Sequence, residues 1–135
     1  MHSEYISLIR QSLKARKLSY SPYSGFKVGA ALLGESGKVY CGANIESASY
    51  SISLCAERVV FSKAISEGEK KFRAIAISVS SNDLVFPCGA CRQFMFEFAK
   101  DIDVIIAGSV TEFKIVTLKE LLPFGFERKS IPKKT

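Results

Sequence analysis

The sequence predicts an α/β fold: one mixed, mostly parallel sheet of five strands in a three-layer sandwich, with helices on both faces. Three observations predict it. Apolar residues recur at helical spacing in three long segments. Strand-forming runs interleave with them in the order helix, hairpin, helix, strand, helix, strand, strand. The chain has 135 residues, 47% apolar and 24% charged, the mix of an ordinary soluble globular chain with enough length for one core.

Ile6, Ile9 and Leu13 place a first helix over residues 3–17, which the run Ser21-Pro22-Tyr23-Ser24-Gly25 breaks. Phe26–Leu33 and Val39–Glu46 are rich in strand formers and flank the turn Glu35-Ser36-Gly37-Lys38, so they read as a hairpin. Residues 47–53 are small and polar, a loop. Val59, Val60, Ala64 and Ile65 share a face of a second helix over 54–67, ended by Gly68. Ala74–Val79 is a buried strand and 80–87 a loop. Phe94, Met95 and Phe98 face inward from a third helix over 89–100. Val104–Ala107 and Phe113–Val116 are strands, and 118–122 is a helical turn. The whole of 1–135 reads as one domain, with a loose tail from about residue 127.

Composition narrows the function classes. Nineteen Lys and Arg against thirteen Asp and Glu leave a net charge of +6. The basic residues are scattered and no aromatic-plus-basic stripe accompanies them, so the excess reads as solvated helix faces rather than a nucleic-acid footprint. No apolar run approaches the roughly 20 residues of a membrane span. The amphipathic N-terminus lacks a leader's apolar centre, which predicts a cytoplasmic protein with no membrane partner. In that compartment four cysteines point to metal or catalysis rather than to disulfides.

Pro87-Cys88-Gly89-Ala90-Cys91 sits at the expected start of the third helix, where the helix dipole favours thiolates. By itself a C-x-x-C is a redox pair or half of a zinc site. Further ligands are sought among Cys41, Cys55 and His2. His2 lies near the terminus and reads as a surface residue, and Cys41, within a strand, reads as a buried thiol. Cys55 opens the second helix as Cys88 opens the third. Two parallel helices on one sheet face can aim both starts at one point, and three thiolates there leave a fourth zinc position open. Their excess negative charge needs compensation. The two helix starts supply part of it, and Arg58 and Arg92 are placed to hydrogen-bond the sulfurs. Glu57, two residues after a ligand, is then a carboxylate beside the metal and suited to moving protons.

The pair Cys55-Ala56-Glu57 and Pro87-Cys88-x-x-Cys91 resembles the zinc-dependent nucleobase deaminases. The match narrows through Pro22-Tyr23-Ser24-Gly25-Phe26-Lys27-Val28-Gly29-Ala30-Ala31, Asn44-Ile45-Glu46, Cys55-Ala56-Glu57-Arg58, Pro87-Cys88-Gly89-Ala90-Cys91-Arg92-Gln93 and Leu121-Leu122-Pro123. In this order they resemble the small cytidine deaminases, over roughly residues 5–126.

The resemblance implies hydrolytic deamination of cytidine and 2'-deoxycytidine in pyrimidine salvage. One Zn2+ per chain is held by Cys55, Cys88 and Cys91 and activates the water that attacks C4. Glu57 is the proton shuttle. Phe26 stacks on the base, Asn44 and Glu46 bind ribose hydroxyls, the Ala56 N–H meets the base carbonyl, and the Phe86 C=O meets the exocyclic amine. The family is similar in being homotetrameric, which implies that Ala48, Tyr50 and Phe126 reach a neighbour's pocket. Three departures bear on substrate preference. Ser47 replaces the usual asparagine, Phe86 replaces a serine or threonine, and Phe124-Gly125-Phe126 offers two terminal aromatics, of which Phe126 has the better spacing.

Three other readings stand beside this one. A blasticidin-type antibiotic deaminase shares both cysteine motifs, although Phe26, Asn44 and Glu46 favour a plain nucleoside. A tRNA adenosine deaminase suits a basic chain but is expected to use histidine where Cys55 stands. A structural zinc module would take Cys41 as a fourth sulfur ligand.

Overall fold

A strand buried on both faces sends alternate residues to opposite cores, and β3 does this with Ala74, Ala76 on one side and Ile75, Ile77 on the other. The computed structural model describes residues 2–132 other than position 82. Its elements are α1 (His2–Arg16), β1 (Val28–Gly34), β2 (Val39–Ala43), α2 (Ala56–Ser66), β3 (Phe72–Val79), α3 (Gly89–Phe98), β4 (Asp103–Ala107), β5 (Phe113–Thr117) and α4 (Leu118–Leu121). Short 3-10 turns occupy Tyr50–Ile52, inside the expected loop, and Arg128–Ser130, inside the expected loose tail. The last three residues of that tail lie outside the described residues.

The five strands lie in the order β2-β1-β3-β4-β5. One layer of side chains packs Leu8 and Ile9 of α1 against Ala31, Leu33, Ala76 and Ile105. On the other face Val60 and Phe61 of α2 and Met95 of α3 pack against Leu32, Ile75, Ile77 and Val104. The three-layer arrangement with helices on both faces is therefore present. Helix α1 lies close on β1 because position 29 is glycine: a Cβ there would stand 2.1 Å from the Ser12 carbonyl oxygen.

The expectation of a mostly parallel sheet is corrected. Among the described strands only β3 and β4 pair in parallel; β1 with β2, β1 with β3 and β4 with β5 are antiparallel. The reason lies in strand order. β2 and β3, which lead into α2 and α3, point the same way, and β4 lies parallel to β3, but β1 runs back between β2 and β3. The hairpin strand β5 then reverses along the far edge.

This order still brings the helix starts together. The registers Gly29–Ala43 and Val28–Val79 place the ends of β2 and β3 beside the start of β1, at one end of the sheet. The chain leaving β2 leads to α2, and the chain leaving β3 leads to α3. Strand β2 stops three residues before its expected end because a side chain takes over the pairing. Asn44 Oδ1 accepts the Val28 N–H at 2.9 Å, and Asn44 Nδ2 donates to the Phe26 carbonyl at 2.9 Å.

Candidate metal centre and cavity

Cys55 is the N-cap of α2 and Cys88 the N-cap of α3. Cys91 follows in the first turn of α3, and its backbone N–H donates to Cys88 Sγ at 3.4 Å. The three sulfurs lie within 4.8 Å of one another. That is near the spacing required of three ligands held about 2.3 Å from one zinc. A proton shared with Cys91, together with the Arg58 guanidinium, holds the Cys55 thiol down at about 6. The same shared proton and burial push the Cys91 thiol up. Soft sulfur donors fit zinc, and all three cysteines line one cavity.

The charge compensation divides unequally. Arg58 Nη2 donates to the Ser53 carbonyl at 3.1 Å and reaches Cys55 Sγ at 4.0 Å. Arg92 touches no sulfur; it donates to the carbonyls of Pro87 and Leu121, both at 2.7 Å. Cys41 lies on the α1 face of the sheet, next to Gln11 Oε1 at 3.8 Å, across the sheet from the other three sulfurs. A four-sulfur site with Cys41 is therefore excluded. His2 opens α1, on that same opposite layer, and its side chain lies outside the described residues.

The cavity measures about 320 Å³, at the small end of the roughly 300–1,000 Å³ usual for small-molecule sites. It gathers Phe26, Asn44, Glu46, Ala56, Glu57 and Phe86 around the three cysteines. Glu57, in the first turn of α2, is only 4% exposed, and burial pushes its carboxyl up to about 7. Asn44 Oδ1 also accepts from the Ser19 hydroxyl. With Nδ2 bonded to Phe26, one amide N–H is left to donate. Glu46 accepts from the backbone N–H groups of Tyr23 and Ser24, at 3.0 and 3.1 Å, and from the Ser24 hydroxyl. These bonds hold its carboxyl below the usual range, the Ser24 hydroxyl foremost. Three of its roughly four acceptor positions are taken.

Ala48, Tyr50 and Phe126 stand outside the cavity, and all three are exposed. Sequence reasoning missed the apolar wall formed by Val28, Ile77, Val79 and Val85. Three of these belong to strands that the sequence does mark, at their ends nearest the helix starts. It also missed Ser19 and Ser24, which fix the two polar side chains expected to meet a ribose.

The chain matches the model of the cytidine and deoxycytidylate deaminase zinc-binding region over residues 2–108. It is 43% identical to a cytidine deaminase of Sporosarcina psychrophila, covering 92% of both chains. It is 46% identical to one from Halalkalibacterium halodurans, over 88% of this chain and 91% of the relative. Among solved structures, a cytidine deaminase from Burkholderia pseudomallei superposes with a TM-score of 0.83 at 39% identity, over 89% of this chain and 97% of that one.

Proposed function

The chain belongs to the cytidine and deoxycytidylate deaminase family, and from that premise we propose that it hydrolyses cytidine and 2'-deoxycytidine to uridine and 2'-deoxyuridine with release of ammonia. The observation that carries the reading is Glu57. A buried carboxyl poised near neutrality shares one small cavity with three sulfurs suited to zinc. Held by Cys55, Cys88 and Cys91, zinc would supply the Lewis acidity that makes water nucleophilic near neutral pH.

The chain's own groups do the rest. Glu57 takes a proton from the attacking water and passes it to N3 as the C4–O bond forms, then takes the C4 hydroxyl proton and delivers it to the amine as the C4–N bond breaks, leaving ammonia and the C4 carbonyl. Phe26, at the cavity mouth, stacks on the base. The free Asn44 N–H donates to one ribose hydroxyl, and the remaining Glu46 position accepts from another. The Ala56 N–H, at the start of α2, meets the base carbonyl, and the Phe86 C=O meets the exocyclic amine. Arg58 offsets thiolate charge at Cys55. The polar pair at the mouth favours a plain nucleoside over a bulkier nucleoside antibiotic, and Cys55 stands against a tRNA adenosine deaminase. The test is the fall in absorbance as cytidine is consumed, with and without a zinc chelator. Turnover that the chelator abolishes and added zinc restores is expected. Activity on blasticidin S or tRNA with none on cytidine would overturn the substrate assignment.

We further propose that the single domain works as a homotetramer. Tyr20 bridges to Ile45, and Ile45 to Leu54, so these exposed side chains form one apolar strip beside the cavity mouth. Tyr50 is 73% exposed near it, and Phe126 is 58% exposed. Such a strip favours a second copy of the chain as its cover. Ala48, Tyr50 and Phe126 then complete a neighbour's pocket. Truncation after Pro123 is expected to raise KM or abolish activity while zinc stays bound. Sedimentation of a fully active monomer would overturn the shared pocket. No helix among the described residues is long and apolar enough to cross a membrane.

A further inference from the structure

Two consecutive side chains of α3 grip the C-terminal segment. Arg92 Nε donates to the Pro87 carbonyl and Arg92 Nη1 to the Leu121 carbonyl, both at 2.7 Å. Gln93 Nε2 donates to the Phe126 carbonyl at 2.8 Å, while its Oε1 accepts the Phe126 N–H at 3.0 Å, much as a strand partner would. Between these holds the chain turns sharply. Phe124 is left-handed, at φ 57, and a Cβ on Gly125 would stand 2.8 Å from both Leu122 and Phe96. The turn thus brings Gly125 directly against Phe96 of α3.

We propose that Arg92 is a positioning residue that ties this segment, at Leu121, to the loop carrying Cys88, so that zinc retention and the docking of α4 are coupled. The inference rests on the zinc deaminase reading for the identity of the metal. Pro87 is buried, and its carbonyl belongs to the peptide that leads directly into Cys88. Turning that peptide swings the Cys88 sulfur away from Cys55 and Cys91. The Leu121 carbonyl is among the last of α4 and has no partner within that helix. One planar guanidinium satisfies both oxygens in a fixed geometry, which the point charge of a lysine does not reproduce. Coupling of this kind is reciprocal: what holds Leu121 steadies the ligand loop, and a filled site steadies Leu121.

The test uses the full-length zinc-loaded protein and reads no turnover, so failure of the cytidine assay leaves it standing. Zinc transfer to a chromophoric chelator is timed for wild type, Arg92→Gln, Arg92→Lys and Gln93→Ala. Amide hydrogen exchange is followed across residues 118–123. Arg92→Gln is expected to release zinc about 10–100-fold faster and to exchange faster across 118–123. Its cobalt(II)-substituted form should show shifted ligand-field bands. Arg92→Lys is expected to move in the same direction by less. Gln93→Ala leaves both Arg92 bonds and should release zinc at the wild-type rate. Equal acceleration by Gln93→Ala and Arg92→Gln would overturn the tie, as would release from Arg92→Gln within about twofold of wild type. Should Arg92→Gln fail to fold, the wild type alone decides. Removing its zinc must speed exchange across 118–123, and unchanged exchange would sink the coupling.

Discussion

Glu57→Gln should lower kcat by about 10⁴-fold or more while zinc content stays at one per chain. A positioned acid–base group is typically worth roughly 10²–10⁴-fold. In the proposed reaction Glu57 serves successive proton transfers, so its loss belongs at or above the top of that range. The side chain is 4% exposed, and burial pushes its carboxyl up to about 7, toward the range suited to a group that both takes and returns protons. Glutamine preserves size and hydrogen bonding but carries no transferable proton of this kind. Nucleoside affinity should survive or tighten, because Phe26, Asn44 and Glu46 are untouched and a buried ionisable group has gone. The measurement is kcat for the variant at full zinc occupancy. A loss below about tenfold would mean that protons travel through another group.

Serine at Cys55, Cys88 or Cys91 should remove both the metal and the activity, whereas Cys41→Ser should retain both. Each of the three cysteines supplies one corner of a site whose sulfurs lie within 4.8 Å. Two remaining sulfurs hold zinc far less well than three, and the hydroxyl of serine is a poor substitute for a thiolate. Zinc lowers the pKa of a coordinated water from 15.7 to about 7, so the loss should exceed that of Glu57→Gln. Soluble yield should fall as well, since metal binding contributes to folding. Cys41 packs on the opposite face of the sheet. Metal analysis of the four variants checks the division, and zinc lost from Cys41→Ser would overturn it.

The three-cysteine cluster and the carboxyl beside it were legible because the chemistry expected there demands particular residue types at particular places. A cysteine at a helix start, a carboxylate two residues later and a C-x-x-C at the next helix start leave few alternatives. Strand direction was not legible. Whether β1 lies outside β2 or between β2 and β3 depends on tertiary pairing, and both arrangements use the same run of small and branched residues. Arg58 and Arg92 looked equivalent in the sequence. They differ in what holds them: Arg58, three residues after Cys55, reaches its sulfur, whereas Arg92, although four residues after Cys88, is engaged by the carbonyls of Pro87 and Leu121. The strand boundary at Asn44 was missed for a related reason: its side chain, not its neighbours' propensity, ends the pairing.

The reversed β1 has a practical side. The cavity residues cluster where β1 begins, and the turn over 35–38 closes its other end, some seven residues and about 20 Å away. The side chains of that turn are exposed, and none of them lines the cavity. The cavity gathers at one end of the sheet, and this turn lies at the other. A catalyst tethered to a solid support through that turn would present its open mouth to the flowing solution.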